Sequence, residues 1–154
     1  MKITFITWQE LDALIDELAR KIDYKPDVLI GVSRGGLIPV RLLSDRLNNA
    51  NVAVIRTEFY TAIGKTAKEP KITQDITIDV KGKTLLVVDD VADTGKSLLL
   101  IKKHLLSKGA REVKIATIHY KTHSEIKPDF YVKETNNWTA YPWEKQETTH
   151  VSSS

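Results

Sequence analysis

The 154-residue chain contains no cysteine. Disulfides, thiolate metal sites and cysteine nucleophiles are therefore excluded. It also lacks any run near the roughly 20 apolar residues that a membrane-crossing helix needs, and it shows no internal repeat or low-complexity block. Its start, "MKITFITWQELDALIDEL", carries acids early and has neither an apolar signal core nor a small-residue cleavage site. A cytoplasmic protein with no membrane association is expected. Neither sign of charge dominates: 23 Lys and Arg against 20 Asp and Glu leave +3. That balance admits small anionic ligands and does not call for nucleic acid, so no nucleic-acid partner is expected. The histidines, His104, His119, His123 and His150, lack metal-ligand spacing. None is expected to be a catalyst, and His104 reads as helix surface.

What is present is ordinary globular material, 42% hydrophobic and 28% charged. The length fits one domain with a real core, expected over residues 1–147, followed by a frayed tail, "TTHVSSS", over 148–154. "TWQELDALIDELARKI" predicts an amphipathic helix, with Thr7 and Glu10 at capping-box spacing and Leu11, Leu14, Ile15 and Leu18 on one stripe. "DVLIGV" reads as a buried strand. "GLIPVRLLSDRL" reads as a helix with Pro39 in its first turn, and its Leu42 and Leu43 could serve a core or an interface. "NVAVIRTEFY" reads as a strand, Thr61 to Pro70 as a mobile loop, and "KITQDITI" as an edge strand or hairpin arm. "KGKTLLVVDD" is a turn and a strongly apolar strand, and "GKSLLLIKKHLLSKG" is a helix presenting Leu98, Ile101 and Leu105. "EVKIATIHY" and "DFYV" close the series as strands. Alternating strands and helices predict an α/β fold with a mainly parallel sheet flanked by helices. Ligands of such sheets bind beyond the carboxyl ends of the strands.

Two strand ends carry unusual chemistry. In "VVDDVADTGKS" a Gly-Lys-Ser tail follows an apolar strand and opens a helix, yet Asp90 stands where a P-loop has its first glycine. A P-loop nucleotidase is therefore disfavoured. Thr94, Gly95, Lys96 and Ser97 can aim N–H groups at one point, where the helix adds about half a positive charge. Read alone, Asp93 or Thr94 could simply cap the helix. Asp89 and Asp90 are harder to explain without a ligand, because buried like charges repel. They could bind Mg²⁺ or accept hydrogen bonds from vicinal sugar hydroxyls. A phosphate cradle beside two hydroxyl acceptors suits ribose 5-phosphate. The second loop, "SRGG", Ser33 to Gly36, lets backbone approach a ligand while Arg34 offers a fork for phosphate oxygens. Two separated anion sites on one sheet edge suggest a ligand with phosphate at both ends.

On these residues the chain resembles a type I phosphoribosyltransferase. "VVDDVADTGKS" is similar to that family's signature for phosphoribosyl pyrophosphate (PRPP). "SRGG" resembles the pyrophosphate loop of its purine branch, and "NNWTAYPWEK" the purine-binding hood of xanthine-guanine and archaeal purine enzymes. The resemblance implies a Rossmann-like sheet with a small hood. It implies transfer of ribose 5-phosphate from PRPP to N9 of a 6-oxopurine (guanine, hypoxanthine or xanthine), giving a nucleoside monophosphate and pyrophosphate, with Mg²⁺ as cofactor. It further implies that Asp89 to Ser97, including Val91 and Ala92, bind the ribose 5-phosphate. Asp89 and Asp90 would also reach the metal through water, with Glu144 as a further metal contact. Ser33, Arg34, Gly35, Gly36 and Lys68 would take pyrophosphate, the Ser33–Arg34 peptide being cis in many relatives. Lys121, Trp138 and Thr139 would form the purine site, the lysine donating to O6 and the tryptophan stacking. Asp93, near purine N7, would exchange a proton there. Relatives are dimers or tetramers. Thr122, Thr139 and Glu144 depart from the usual proline, aliphatic and aspartate at those places. The competing expectations are a phosphoribosyltransferase for another nucleobase and a non-catalytic PRPP-sensing regulator.

Overall fold

The computed structural model describes residues 2–147. The expected tail, 148–154, and His150 lie outside the described residues. The elements in chain order are β1 (Ile3–Phe5), α1 (Trp8–Lys21), β2 (Val28–Ser33), α2 (Leu37–Arg46), β3 (Val52–Thr61), β4 (Lys68–Gln74), β5 (Thr84–Ala92), α3 (Lys96–Ser107), β6 (Glu112–Tyr120), β7 (Phe130–Glu134), β8 (Trp138–Ala140) and the 3₁₀ turn η1 (Pro142–Glu144). Six strands form one sheet in the order β4-β3-β2-β5-β6-β7. All its pairs are parallel except β3 with β4. The mainly parallel α/β architecture is the one expected.

Strand β5 shows why the sheet needs helices on both faces. Leu85 and Val87 pack with Leu98, Ile101 and Leu105 of α3. Leu86 and Val88 pack on the opposite face with Leu11, Ile15 and Leu18 of α1 and with Leu43 of α2. Period-two alternation sends neighbours to opposite faces, and both faces are covered, so the strand is apolar throughout. Each such side chain, fully buried, contributes about 1.5–3 kcal/mol. Thr7 caps α1 as its spacing predicted, accepting from the Glu10 N–H at 3.1 Å. Leu43 is fully buried against α1 and therefore belongs to the core, while Leu42 lies partly buried beside it.

The chain runs from β2 to β3 on one side and later returns to β5 on the other. The loops after β2 and β5 consequently diverge, leaving a crevice at the carboxyl ends of the two central strands. Both unusual sequence loops lie there.

Two sequence expectations need correction. The loop expected from Thr61 to Pro70 is shorter, 62–67, because Thr61 pairs with Lys68, Tyr60 with Glu69 and Phe59 with Pro70 in a hairpin. Pro70 fits because β4 is the outer edge of the sheet, where a missing N–H donor is tolerated. "KITQDITI" leaves the sheet after Gln74, where Asp75 accepts bonds from the Ile76 N–H at 2.8 Å and from Lys108 at 2.9 Å. His104 lies half-buried on α3, its Nε2 3.0 Å from Asp75 Oδ1. Strands β1 and β8, too short to show a pattern, pair in parallel and with η1 make a small hood.

Candidate active site

The tip of β5 carries the carboxylate pair. Asp90 is buried and Asp89 half-buried. Each carboxylate turns back on the chain: Asp89 Oδ1 accepts from the Asp90 N–H at 2.8 Å, and Asp90 Oδ1 from the Val91 N–H at 2.7 Å. Burial pushes both acids above the ordinary carboxylate range, and the neighbouring Asp90 carboxylate pushes Asp89 further. The pair thus meets the cleft with a deficit of positive charge around it.

Gly35 faces this pair from the loop after β2. A Cβ built there would lie 2.5 Å from Asp90 Oδ2, so no side chain fits without displacing the carboxylate. The Ser33–Arg34 peptide is cis, as the resemblance implies. Ser33, Arg34 and Gly35 join Thr57, Asp89, Asp90, Ser97, Trp143 and Glu144 around a cleft of about 490 Å³. Thr57 Oγ1 donates to Ser97 Oγ at 3.1 Å, fixing the first turn of α3 against β3. Arg34 is exposed and pairs with Glu147 at 2.6 Å.

Helix α3 starts differently from the simple capping alternative. Its N-cap is Gly95, at φ +79°, with no side-chain cap. Thr94 Oγ1 accepts from the Lys96 N–H at 3.3 Å. The N-cap residue itself offers no side chain, and only the Lys96 N–H meets a side-chain oxygen, at long range, which leaves the helix start open to an anion. Asp93 points elsewhere: Oδ2 lies 3.2 Å from Lys121 Nζ and Oδ1 3.0 Å from His123 Nε2. The loop after β6 is fastened to the loop after β5 through Lys121 N–H to Ala92 O at 3.0 Å and Glu125 N–H to Thr94 O at 2.8 Å.

A second cleft, about 600 Å³, adjoins the first. Val91, Asp93, Lys121, Asn136, Asn137, Trp138, Thr139, Tyr141 and Glu144 line it. Trp138, 37% exposed, stands at its wall and not in the core. Glu144 borders both clefts. One of its oxygens accepts from the Tyr141 N–H at 3.1 Å, which closes a capping box over η1, and burial raises its pKa.

Of the residues singled out from sequence, Ser33, Arg34, Gly35, Asp89, Asp90, Val91, Asp93, Ser97, Lys121, Trp138, Thr139 and Glu144 line these adjoining clefts; Gly36, Thr94, Gly95 and Lys96 lie in the same segments without lining either, and Ala92 is buried in the core. Lys68 sits exposed at the start of β4, opposite Thr61, and borders neither cleft. Sequence reasoning missed Thr57, His123, Tyr141, Trp143 and Glu147. Thr57 follows Arg56, which pairs with Ser33 at the end of β2, so only the strand register would have found it.

The phosphoribosyl transferase domain matches residues 6–150. The chain belongs to that family. It is accordingly a pentosyl-transferring enzyme. A xanthine-guanine phosphoribosyltransferase of Idiomarina loihiensis is 30% identical over 146 residues, covering 91% of this chain and 86% of that protein. A purine phosphoribosyltransferase structure from Pyrococcus horikoshii has TM-score 0.84 at 42% identity, covering 93% of this chain and 94% of that one. A Neisseria gonorrhoeae protein solved with bound ppGpp has TM-score 0.83 at 26% identity, covering 99% and 96%. No helix among the described residues is long and apolar enough to cross a membrane.

Proposed function

We propose that the chain transfers ribose 5-phosphate from PRPP to N9 of a 6-oxopurine, releasing pyrophosphate and a nucleoside monophosphate, as a purine salvage enzyme. The observation that carries this reading is the juxtaposition of two clefts across one loop, Asp89 to Asp93, with carboxylate acceptors and amide and hydroxyl donors for a sugar phosphate on one side and Lys121 with Trp138 on the other. Similarity to proteins named for xanthine, guanine and purine transfer supports it. So does a relative that binds ppGpp, a guanine nucleotide with diphosphates at both ends.

In this reading the α3 start and Ser97 hold the 5-phosphate, while Ser33 to Gly36 hold pyrophosphate. Asp89 and Asp90 accept from the ribose hydroxyls and stabilise positive charge as it develops at C1. Lys121 donates to the purine O6, which selects a carbonyl over an amine at that position. To do so it leaves Asp93, whose second neighbour, His123 Nε2, remains in place at 3.0 Å. Asp93 then exchanges the proton at N7. Trp138 stacks on the ring, worth about 1–3 kcal/mol by analogy with base stacking. Lys68 would reach pyrophosphate only if the β3–β4 hairpin folds over the cleft.

The donor set fits Mg²⁺. Asp89 and Asp90 supply hard oxygens whose raised pKa values a cation would relieve. No group of three or more His, Cys, Asp or Glu among the described residues could hold a metal. Two carboxylates, acting directly or through water, would therefore share the ion with substrate oxygens, and Glu144 borders the same cleft. When bound, the ion would neutralise charge on the departing pyrophosphate. The reading also implies a cytoplasmic enzyme, in one catalytic domain, working as a homodimer or homotetramer.

The test is direct. The protein is mixed with PRPP and Mg²⁺, and each nucleobase is offered in turn while nucleotide and pyrophosphate are measured. Product is expected with guanine, hypoxanthine or xanthine. Turnover only with adenine, orotate or uracil would overturn the base assignment, and PRPP binding without turnover would favour a sensor.

A further inference from the structure

Beneath the wall between the two clefts runs a buried polar chain that the transfer chemistry does not use. Tyr141, 2% exposed, follows β8 and opens η1. Its hydroxyl donates to the main-chain carbonyl of Asp90 at 3.2 Å. That hydroxyl has one proton, so it must accept at its other contact, His119 Nδ1 at 2.8 Å. His119 is consequently the Nδ1–H tautomer. Burial, aided by the charge of Lys133, holds its pKa down at about 4, so the ring stays neutral at working pH. Burial also raises the Tyr141 pKa, keeping the phenol protonated. The chain therefore runs from His119 on β6 through Tyr141 in the hood to the carboxylate tip of β5.

The same tyrosine organises the hood. Its N–H binds Glu144, which borders both clefts. Its ring stacks on Trp143 at 4.9 Å and 2°. Three residues upstream stands Trp138, at the wall of the base cleft. Backbone ties of the hood include the short ladder of β1 with β8, which joins the two hood strands to each other, and the Ile6 N–H to Ala140 O bond at 3.0 Å that extends it. The Tyr141 hydroxyl instead ties hood to central sheet, at the residue that carries half of the carboxylate pair.

We propose that His119 and Tyr141 are positioning residues that set the base cleft against the sugar cleft, by fixing the hood to the main chain of Asp90. The proposal rests on the purine-transfer reading for its kinetic consequence and stands without it for its structural one. Buried hydroxyls bonded at both ends are costly to lose, because each former partner is left unsatisfied. With the hydroxyl absent, the hood can shift relative to β5. A purine held between Trp138 and Asp93 then loses alignment with C1, while PRPP, bound to the sheet-borne loops, keeps its contacts.

The experiment uses the full-length protein and the variants Y141F, H119F and H119N. Y141F keeps the ring and its stack on Trp143. H119N keeps an N–H donor close to the place of Nδ1. Expected are a fall of roughly ten- to hundredfold in kcat/KM for the purine in Y141F and H119F, a KM for PRPP within about threefold of wild type, and substantial recovery in H119N. Amide hydrogen exchange supplies a readout that does not need turnover. It should quicken over residues 136–144 and 3–6 in Y141F while the amides of β5 and β6 stay protected. Unchanged purine kinetics with unchanged hood exchange would overturn the proposal. So would a uniform loss, in which PRPP affinity and core protection fall as far as the purine parameters. Should wild type turn over no 6-oxopurine, the function reading fails, and hood exchange alone still decides the positioning role.

Discussion

The two clefts are built in different ways. The sugar cleft is made where two adjacent parallel strands end, chiefly from the loop after each, with Thr57 of β3 and the hood residues Trp143 and Glu144 at its border. The base cleft is assembled from the β5 loop, the residue after β6 and the hood, which comes from the other end of the chain. The first is prepared for charge, with two raised carboxylates and an α3 start lacking a side-chain cap. The second is prepared for a planar ring, with Trp138 beside Lys121 and Asp93. Strand ends of a covered parallel sheet are rigid by construction, whereas a three-residue ladder such as β1–β8 needs external ties to hold its place.

The sharpest way to break this contrast is to remove charge from the sugar cleft. D89N or D90N should lower kcat/KM by roughly two to four orders of magnitude, the scale of losing preorganised transition-state electrostatics. The same variants should be more stable than wild type in the absence of ligands. Both acids have folded pKa values above their unfolded ones. The stability linked to their protonation is thus fully present below about pH 4 and lost as pH rises through the raised folded values. At neutral pH the native protein bears that deficit, and an amide does not. Thermal unfolding with and without PRPP and Mg²⁺ checks this, with the ligands expected to stabilise wild type much more than either variant. A ligand-free D90N protein less stable than wild type would mean that the carboxylate is already compensated within the fold.

Legibility in the sequence followed the same division. The parallel sheet and its helices could be read because β5 buries both faces, which makes "LLVV" continuous, and because α1 buries one stripe. The two loops of the sugar cleft could be read because the residues of each are neighbours in the chain, whereas Thr57, Trp143 and Glu147 reach it from elsewhere. The base cleft needed the resemblance, since nothing in the residues alone links Lys121 to Trp138. His119 and Tyr141 were invisible: 22 residues separate them, and a lone histidine in "TIHY" carries no local signal. In the β3–β4 hairpin, Thr61 and Lys68 to Pro70 read as loop because Gly64 and Pro70 weigh that way in any local reading. Cross-strand pairing at an open edge overrode that preference.

Intermediate effects should separate the clefts by substrate. G35A places a methyl where Asp90 Oδ2 stands, and should cost about ten- to hundredfold in kcat/KM for PRPP by displacing the carboxylate. W138A should instead raise the KM for the purine by roughly five- to hundredfold through lost stacking, with the PRPP parameter nearly unchanged. Initial rates with each substrate varied in turn provide the comparison. If W138A weakened PRPP as much as purine, the two clefts would not be separable by substrate.

The smallest expected effect concerns the rim of the sugar cleft. Arg34 and Glu147 are 2.6 Å apart but strongly exposed, at 79% and 57% of their side-chain surface. Exposed pairs of this kind contribute about 0–1 kcal/mol, so E147A should leave the melting temperature almost unchanged. Its consequence is competitive. Glu147 occupies the guanidinium fork on the loop proposed to receive pyrophosphate, and an incoming phosphate must displace it. Removing the carboxylate therefore frees Arg34, and the KM for PRPP should fall by about two- to threefold at low ionic strength. E147Q, which keeps size and loses charge, should behave alike. Raising salt should shrink the difference, because an exposed pair is screened within about 8–10 Å at physiological ionic strength. A KM that rises in E147A would instead show that Glu147 helps to hold Arg34 in its binding position, making the pair part of the sugar cleft and not a competitor at its edge.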